Sequence, residues 1–433
     1  MAENNPIKSK TSIKQGKSNR IPVYSGGTCF GVFFDGTGNN RNKDIPNGNE
    51  SNIAKLFDYY ILDSYTNKEG IKCANNDSFY SIGVGSTAGT LALGGLTGAG
   101  AESRMNKSFD AVVDHFNRKE NVYRKKKYLD VFGFSRGAAS ARHFVNMVKY
   151  LKIPDKTNGG FHDIELRFLG IFDTVGSFGI PGNKYDEGMD YHLDREFVKR
   201  TVHLTAEHEK RGLFDLTSIK KNKSEPLPGN CLEKSFPGAH SDVGGGYAYR
   251  AYRSAGWYKE RLVPDKDATG KTIMKLMNVP EKNMQYEKDA NLTEEAIYEQ
   301  TEGIGEDYYL EEQIEKSNHL SRIPLKFMYD EMFKADINVM SREEHIRFEK
   351  SMKIEPQVQA FYDENKSGMP FNEAMNSKYI HDSRYFIDKI GVSIEDNGGT
   401  REIFYAATKP RLWENYKEER KKEKDEQWRN ETA

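Results

Sequence analysis

Cysteine is scarce in this chain: Cys29, Cys73 and Cys231 are the only three among 433 residues. Odd in number and scattered, they exclude a disulfide framework and the paired spacing of a zinc site, and read as buried thiols made in a reducing compartment. No apolar run reaches the roughly 18 residues that a membrane-crossing helix needs. The first 25 residues are polar, so no secretory signal peptide is expected, and export would need another route. Charge of one sign is also missing. Sixty-four basic residues face 65 acidic ones, so no global field recruits nucleic acid or an anionic surface. The glycine-rich stretch from Gly89 to Gly100 lacks the Gly-Lys-Ser/Thr of a phosphate-binding loop. No His-x-x-x-His or clustered carboxylate–histidine spacing points to a metal. Neither a cofactor nor a metal is implied.

What is present centres on residues 127–149. Tyr128 to Phe132 mixes aromatic and branched residues over the length of a buried strand. From Arg136 onward, Ala138, Ala141, Val145 and Val148 recur at helical spacing. Between them stands Gly133-x-Ser135-x-Gly137, the pattern of a nucleophile elbow. The flanking glycines spare a sharp strand-to-helix turn from side-chain collisions, and the turn lifts a serine hydroxyl beside helix N–H groups that can receive an oxyanion. The plainer alternative is that Ser135 is a helix N-cap.

A serine needs a base, and the base an orienting acid. Leu166 to Phe172 reads as another buried strand, ending in Asp173, where the acid of a triad would stand in an open α/β sheet. Leu232 to Phe236 is a shorter strand candidate that runs into His240-Ser-Asp-Val-Gly-Gly-Gly-Tyr247, a loop suited to presenting an imidazole. The order Ser135, Asp173, His240 is that of α/β-hydrolases. Rivals remain at this level: His381 for the base, and Asp35 or Asp242 for the acid. Thr28 to Phe34 reads as a central strand whose end, Asp35-Gly36-Thr37-Gly38, resembles a substrate-facing loop. The oxyanion would be met by the N–H of Arg136 and a second donor from Gly36 or Thr37.

The rest sets the frame. Residues 1–24 read as a disordered leader, 25–250 as an α/β-hydrolase core, and 251–433 as a mainly helical region returning to the core near 380–410. Helices are expected at 52–60, 104–117, 292–316, 322–334, 341–363 and 413–428, and strands at 79–85, 384–390 and 401–405. Phe197 to Thr205 is open between helix and strand. The fold class is therefore α/β, a mostly parallel sheet flanked by helices.

Four segments together resemble a known group. Phe34-Asp-Gly-Thr-Gly-Asn-Asn40, Gly133-Phe-Ser-Arg-Gly137, Phe172-Asp-Thr-Val175 and His240-Ser-Asp-Val-Gly-Gly-Gly-Tyr247 look like the signature blocks of an α/β-hydrolase group that includes the first family of type VI secretion lipase effectors. The resemblance spans about residues 28–250. It implies a phospholipase A-type esterase with Ser135, Asp173 and His240 at the family's catalytic positions. It also implies synthesis in the cytoplasm and injection by a type VI spike or tube component into a rival's periplasm. The substrate would be membrane phospholipid, with an immunity protein protecting the producer. Two readings stand against it: the same triad acting on a soluble acyl ester, and a non-catalytic secretion-associated binding protein.

Overall fold

The computed structural model describes residues 26–60, 62–86, 100–177, 188–211, 214–247, 317–339, 352–365, 368–370, 379–381 and 401–406, together with the backbone of four strands between 251 and 314. The expected leader, the helix at 413–428, the strand at 384–390 and nearly all of the Gly89–Gly100 stretch lie outside these residues.

Runs rich in branched and aromatic residues make the central strands. β1 (Gly27–Phe34), β4 (Asp77–Ser81), β5 (Lys126–Phe134), β6 (Glu165–Phe172), β7 (Arg200–Ala206) and β9 (Cys231–Phe236) run parallel in the order β4-β1-β5-β6-β7-β9. The short β2 (Tyr65–Thr66) and β3 (Lys72–Cys73) extend the edge, β2 antiparallel to β3. Residues 197–205, open from sequence, thus resolve mainly as strand. Burial on both faces explains the near-continuous hydrophobic runs.

Alternation along the strands then assigns the two faces. Val32, Phe34, Leu129, Val131, Leu169 and Ile171 pack under α3 (Ala101–Asn117) and α4 (Arg136–Leu151). Phe33, Phe132, Phe168, Phe172, Val202 and Leu204 face α2 (Asn52–Tyr59), α6 (Arg322–Lys334) and α7 (Pro356–Glu364). Two very short helices, α1 (Arg41–Asp44) and α5 (His240–Gly244), sit in loops. Leu325, Met328 and Met332 of α6 are fully buried against the sheet, so residues 317–339 share the core of the first half.

The helical reading fails at 308–314. Those residues form β13 (Tyr308–Ile314), antiparallel to β10 (Ala251–Tyr258), and β11 (Leu262–Lys266) pairs β12 (Thr272–Leu276). Glu311, Glu312 and Gln313 between the apolar residues imitate helical spacing there, and partner strands override the propensity. β14 (Ile403–Tyr405) returns to pair in parallel with β8 (Leu216–Ser218).

Register is what positions the site. Phe34 pairs Gly133, Phe134 pairs Phe172, and Phe172 pairs Leu204. The ladder runs one step further, with Asp35 N–H donating to Ser81, Ser135 N–H to Phe172 and Asp173 N–H to Leu204. Asp35, Ser135 and Asp173 therefore leave one edge of the sheet side by side.

Candidate active site

Ser135 joins β5 to α4 with φ 59° and ψ −127°, a conformation that few residues other than glycine adopt. The turn is tight. A Cβ on Gly137 would lie 2.4 Å from the carbonyl oxygens of Phe34 and Asp35, and one on Gly133 would lie 2.5 Å from the carbonyl oxygen of Gly137. Both glycines thus permit backbone contact, as the sequence suggested. Ser135 stands at the N-cap position, yet its side chain makes no capping hydrogen bond. The capping role offered as the plain alternative is absent.

Asp173 follows directly, also at positive φ (39°), and is fully buried. Its Oδ2 accepts from Nδ1 of His240 at 2.6 Å, and its Oδ1 accepts from the N–H of Ala206 at 2.8 Å. Burial alone would raise its pKa. Arg401 and His240 more than reverse that and hold the carboxyl well below the usual carboxylate range. It is an anion.

His240 opens α5 rather than lying in an irregular loop. Asp242 caps this turn by accepting from the N–H of Ala239 at 3.0 Å. The imidazole lies against the ring of Phe134, the residue before Ser135, at 4.6 Å between centroids, and meets Phe214 edge-on at 5.0 Å. Gly244 makes this stacking possible, because a Cβ there would lie 2.0 Å from the Phe134 ring. Burial pushes the imidazole pKa down, partly opposed by Asp173. With Nδ1 engaged by Asp173, the neutral ring carries its lone pair on Nε2. That atom is buried and makes no hydrogen bond with any described residue, Ser135 included.

The rival residues find other places. Asp242 and His381 pair with each other, Oδ1 to Nδ1 at 2.6 Å, and His381 stacks on Tyr247. Asp35 accepts from the Tyr80 hydroxyl and from Gly36 N–H (2.7 Å), and burial pushes its pKa up to about 6.

That last contact revises one expectation. Gly36 N–H is taken by its neighbour's carboxylate and is no open oxyanion donor. Thr37 N–H has no hydrogen bond among the described residues, and the Thr37 hydroxyl accepts from Arg136 Nε at 2.7 Å. Arg136 is the first residue of α4, where no carbonyl of the helix can reach its N–H.

Sequence reasoning missed three residues. Arg401 donates from Nη1 and Nη2 to Oδ1 and Oδ2 of Asp173 at 2.7 and 2.9 Å. Glu209 accepts from the backbone N–H of His240 at 3.1 Å and is ion-paired to Arg211 at 2.8 Å. Burial would raise the Glu209 pKa, but Arg211 brings it to about 2. None of the three stands in one of the motif blocks that located the others.

Residues 30–160 and 152–262 match the family model for the catalytic domain of Tle1-like phospholipase effectors of the type VI secretion system. The chain belongs to this family. No curated protein sequence matches it. Among solved structures, the Tle1 effector bound to the VgrG spike of the type 6 secretion system superposes with a TM-score of 0.56 at 20% identity, covering 86% of this chain and 89% of the other. An uncharacterised protein from Pseudomonas aeruginosa aligns at 22% identity and a TM-score of 0.49, over 81% of this chain and 52% of that one. The Tle1-like chain thus shares the α/β fold of the effector, and its Asp173–His240 pair falls within the matched catalytic domain.

Proposed function

We propose that this Tle1-like protein is a serine esterase that hydrolyses acyl ester bonds of membrane glycerophospholipids. One observation carries the reading: Asp173 binds Nδ1 of a buried imidazole whose Nε2 is left bare, beside a serine held at positive φ between two glycines. Ser135 Oγ attacks the ester carbonyl as His240 Nε2 takes its proton. Asp173 fixes the tautomer and stabilises the imidazolium. The N–H groups of Arg136 and Thr37 receive the oxyanion, each worth about 2.7–4 kcal/mol on the scale of such donors. The tetrahedral adduct collapses to an acyl-enzyme, and the lysophospholipid alcohol departs with the proton from His240. Water, deprotonated by the same imidazole, then releases the fatty acid and restores Ser135. In an apo site the serine–histidine hydrogen bond is commonly long and tightens on binding substrate, which fits an unpartnered Nε2.

The same reading has the protein delivered by a type VI spike into the periplasm of a rival bacterium, with an immunity protein in the producer; family membership and the spike-bound effector of similar fold support the spike route. No helix among the described residues is long and apolar enough to cross a membrane.

Wild type and Ser135→Ala are compared on vesicles of phosphatidylethanolamine and phosphatidylglycerol, with mass spectrometry of fluorophosphonate-treated protein. Fatty acid released by wild type alone, and label on Ser135, are expected. Equal release by both proteins sinks the triad. Labelling of Ser135 without any turnover of vesicles moves the substrate to a soluble ester. No labelling and no turnover leaves a binding protein.

A further inference from the structure

Asp173 is held by more than its histidine. Arg401 stands just before β14, and its guanidinium is 8% exposed. Besides both carboxylate oxygens of Asp173, it reaches the carbonyl of Phe214 through Nε at 2.7 Å and that of Ala206 through Nη1 at 3.3 Å. The contacts converge. Phe214 packs edge-on against His240, and Ala206 itself donates its N–H to Asp173. β14 secures the arginine by pairing with β8 and by giving the Glu402 carbonyl to Leu216 N–H at 3.0 Å.

We propose that Arg401 is a positioning residue for the reaction: its fork fixes the carboxylate of Asp173 against His240, so that the catalytic base is oriented only when the segment carrying Arg401 is docked on β8. The proposal rests on the triad reading above. A planar bidentate fork sets the direction of both oxygens at once, which the point charge of a lysine does not. Its charge also matters. Among the described residues, the charged groups around His240 are Asp173 just after β6, Glu209 and Arg211 from the segment after β7, and Arg401 before β14. Arg401 neutralises part of the field of Asp173. Its loss exposes the imidazole to the full carboxylate charge, favours imidazolium, and moves the acid limb of turnover to higher pH.

Arg401→Lys and Arg401→Gln are measured beside Ser135→Ala on the same vesicles across pH, with melting curves to establish folding. Arg401→Gln is expected to lose about 10- to 100-fold in kcat, the scale of a small misplacement at a reacting group, with KM little changed and the acid limb displaced upward. Arg401→Lys keeps a charge but not the fork, so it loses about 10-fold with the limb near its wild-type place. A folded Arg401→Gln with wild-type kcat and limb, while Ser135→Ala is inactive, overturns the positioning role and leaves the triad standing. Should the glutamine variant fail to fold, Arg401→Lys decides alone, and wild-type kcat in that variant overturns the role. Activity in Ser135→Ala overturns both.

Discussion

Two histidine–aspartate pairs meet at α5, yet they are not equivalent. His240 bonds Asp173 beside the serine, whereas His381 bonds Asp242, which is already occupied in capping α5. Replacing His240 by Ala is expected to lower kcat by about 10³-fold or more, as removal of a triad base does. His381→Ala removes a buried partner and costs about 1–3 kcal/mol of stability while leaving measurable turnover. Assays and melts of the two variants side by side would separate the roles. A turnover loss at His381 equal to that at His240 would transfer the base to His381. Because burial depresses the His240 pKa below its ordinary 6.5, the neutral base persists in mildly acidic solution. The acid limb of kcat/KM is therefore expected below pH 6.5, and a limb above it would contradict the buried geometry. Ser135, Asp173 and His240 were legible because each follows a hydrophobic strand or sits in a loop of small residues. Arg401 was not, since a carboxylate–guanidinium contact across 228 residues leaves no local pattern.

Elements were legible where period and length agreed. The helix expected at 322–334 is found over Arg322–Lys334, and the strand expected from Leu166 is found over Glu165–Phe172. Charged residues on a strand hid β13, because pairing with β10 and not intrinsic propensity decides its state. The elbow itself yields a test at this scale. Gly137→Ala places a methyl 2.4 Å from two carbonyl oxygens at the end of β1, so α4 must shift away from the sheet. Overpacking of this kind costs about 1–3 kcal/mol, and here it also displaces the Arg136 N–H from the ester. Lower melting temperature together with a fall in kcat is expected. An unchanged kcat would detach the helix terminus from oxyanion binding.

For the whole molecule, buried ionisable groups set the acid limit. Burial pushes His115 down from an ordinary 6.5 to about 3, so it folds as the neutral ring held near Thr28 and Asn121. Its contribution is complete above pH 6.5 and fades as the pH falls towards 3, because the unfolded chain takes the proton first. Glu209, buried, and Glu233, half-buried, are nevertheless held at about 2 by Arg211 and His203 respectively, against an ordinary 4.5. Their contributions are complete above 4.5 and are lost between there and 2. Denaturant melts should show stability declining in two stages, first below pH 6.5 and more steeply below 4.5. Stability independent of pH from 7 to 4 would show that these groups titrate as in water.

β14 also has a bearing on synthesis. Asp173 leaves the ribosome long before the arginine that offsets its charge, and β8 waits just as long for its partner strand. A nascent chain that already carries the strands and the serine still lacks the guanidinium that grips the aspartate. If Arg401 positions the base as proposed, hydrolytic competence is among the last properties the folding polypeptide acquires, which would shorten the interval in which a cell making such an enzyme is exposed to it.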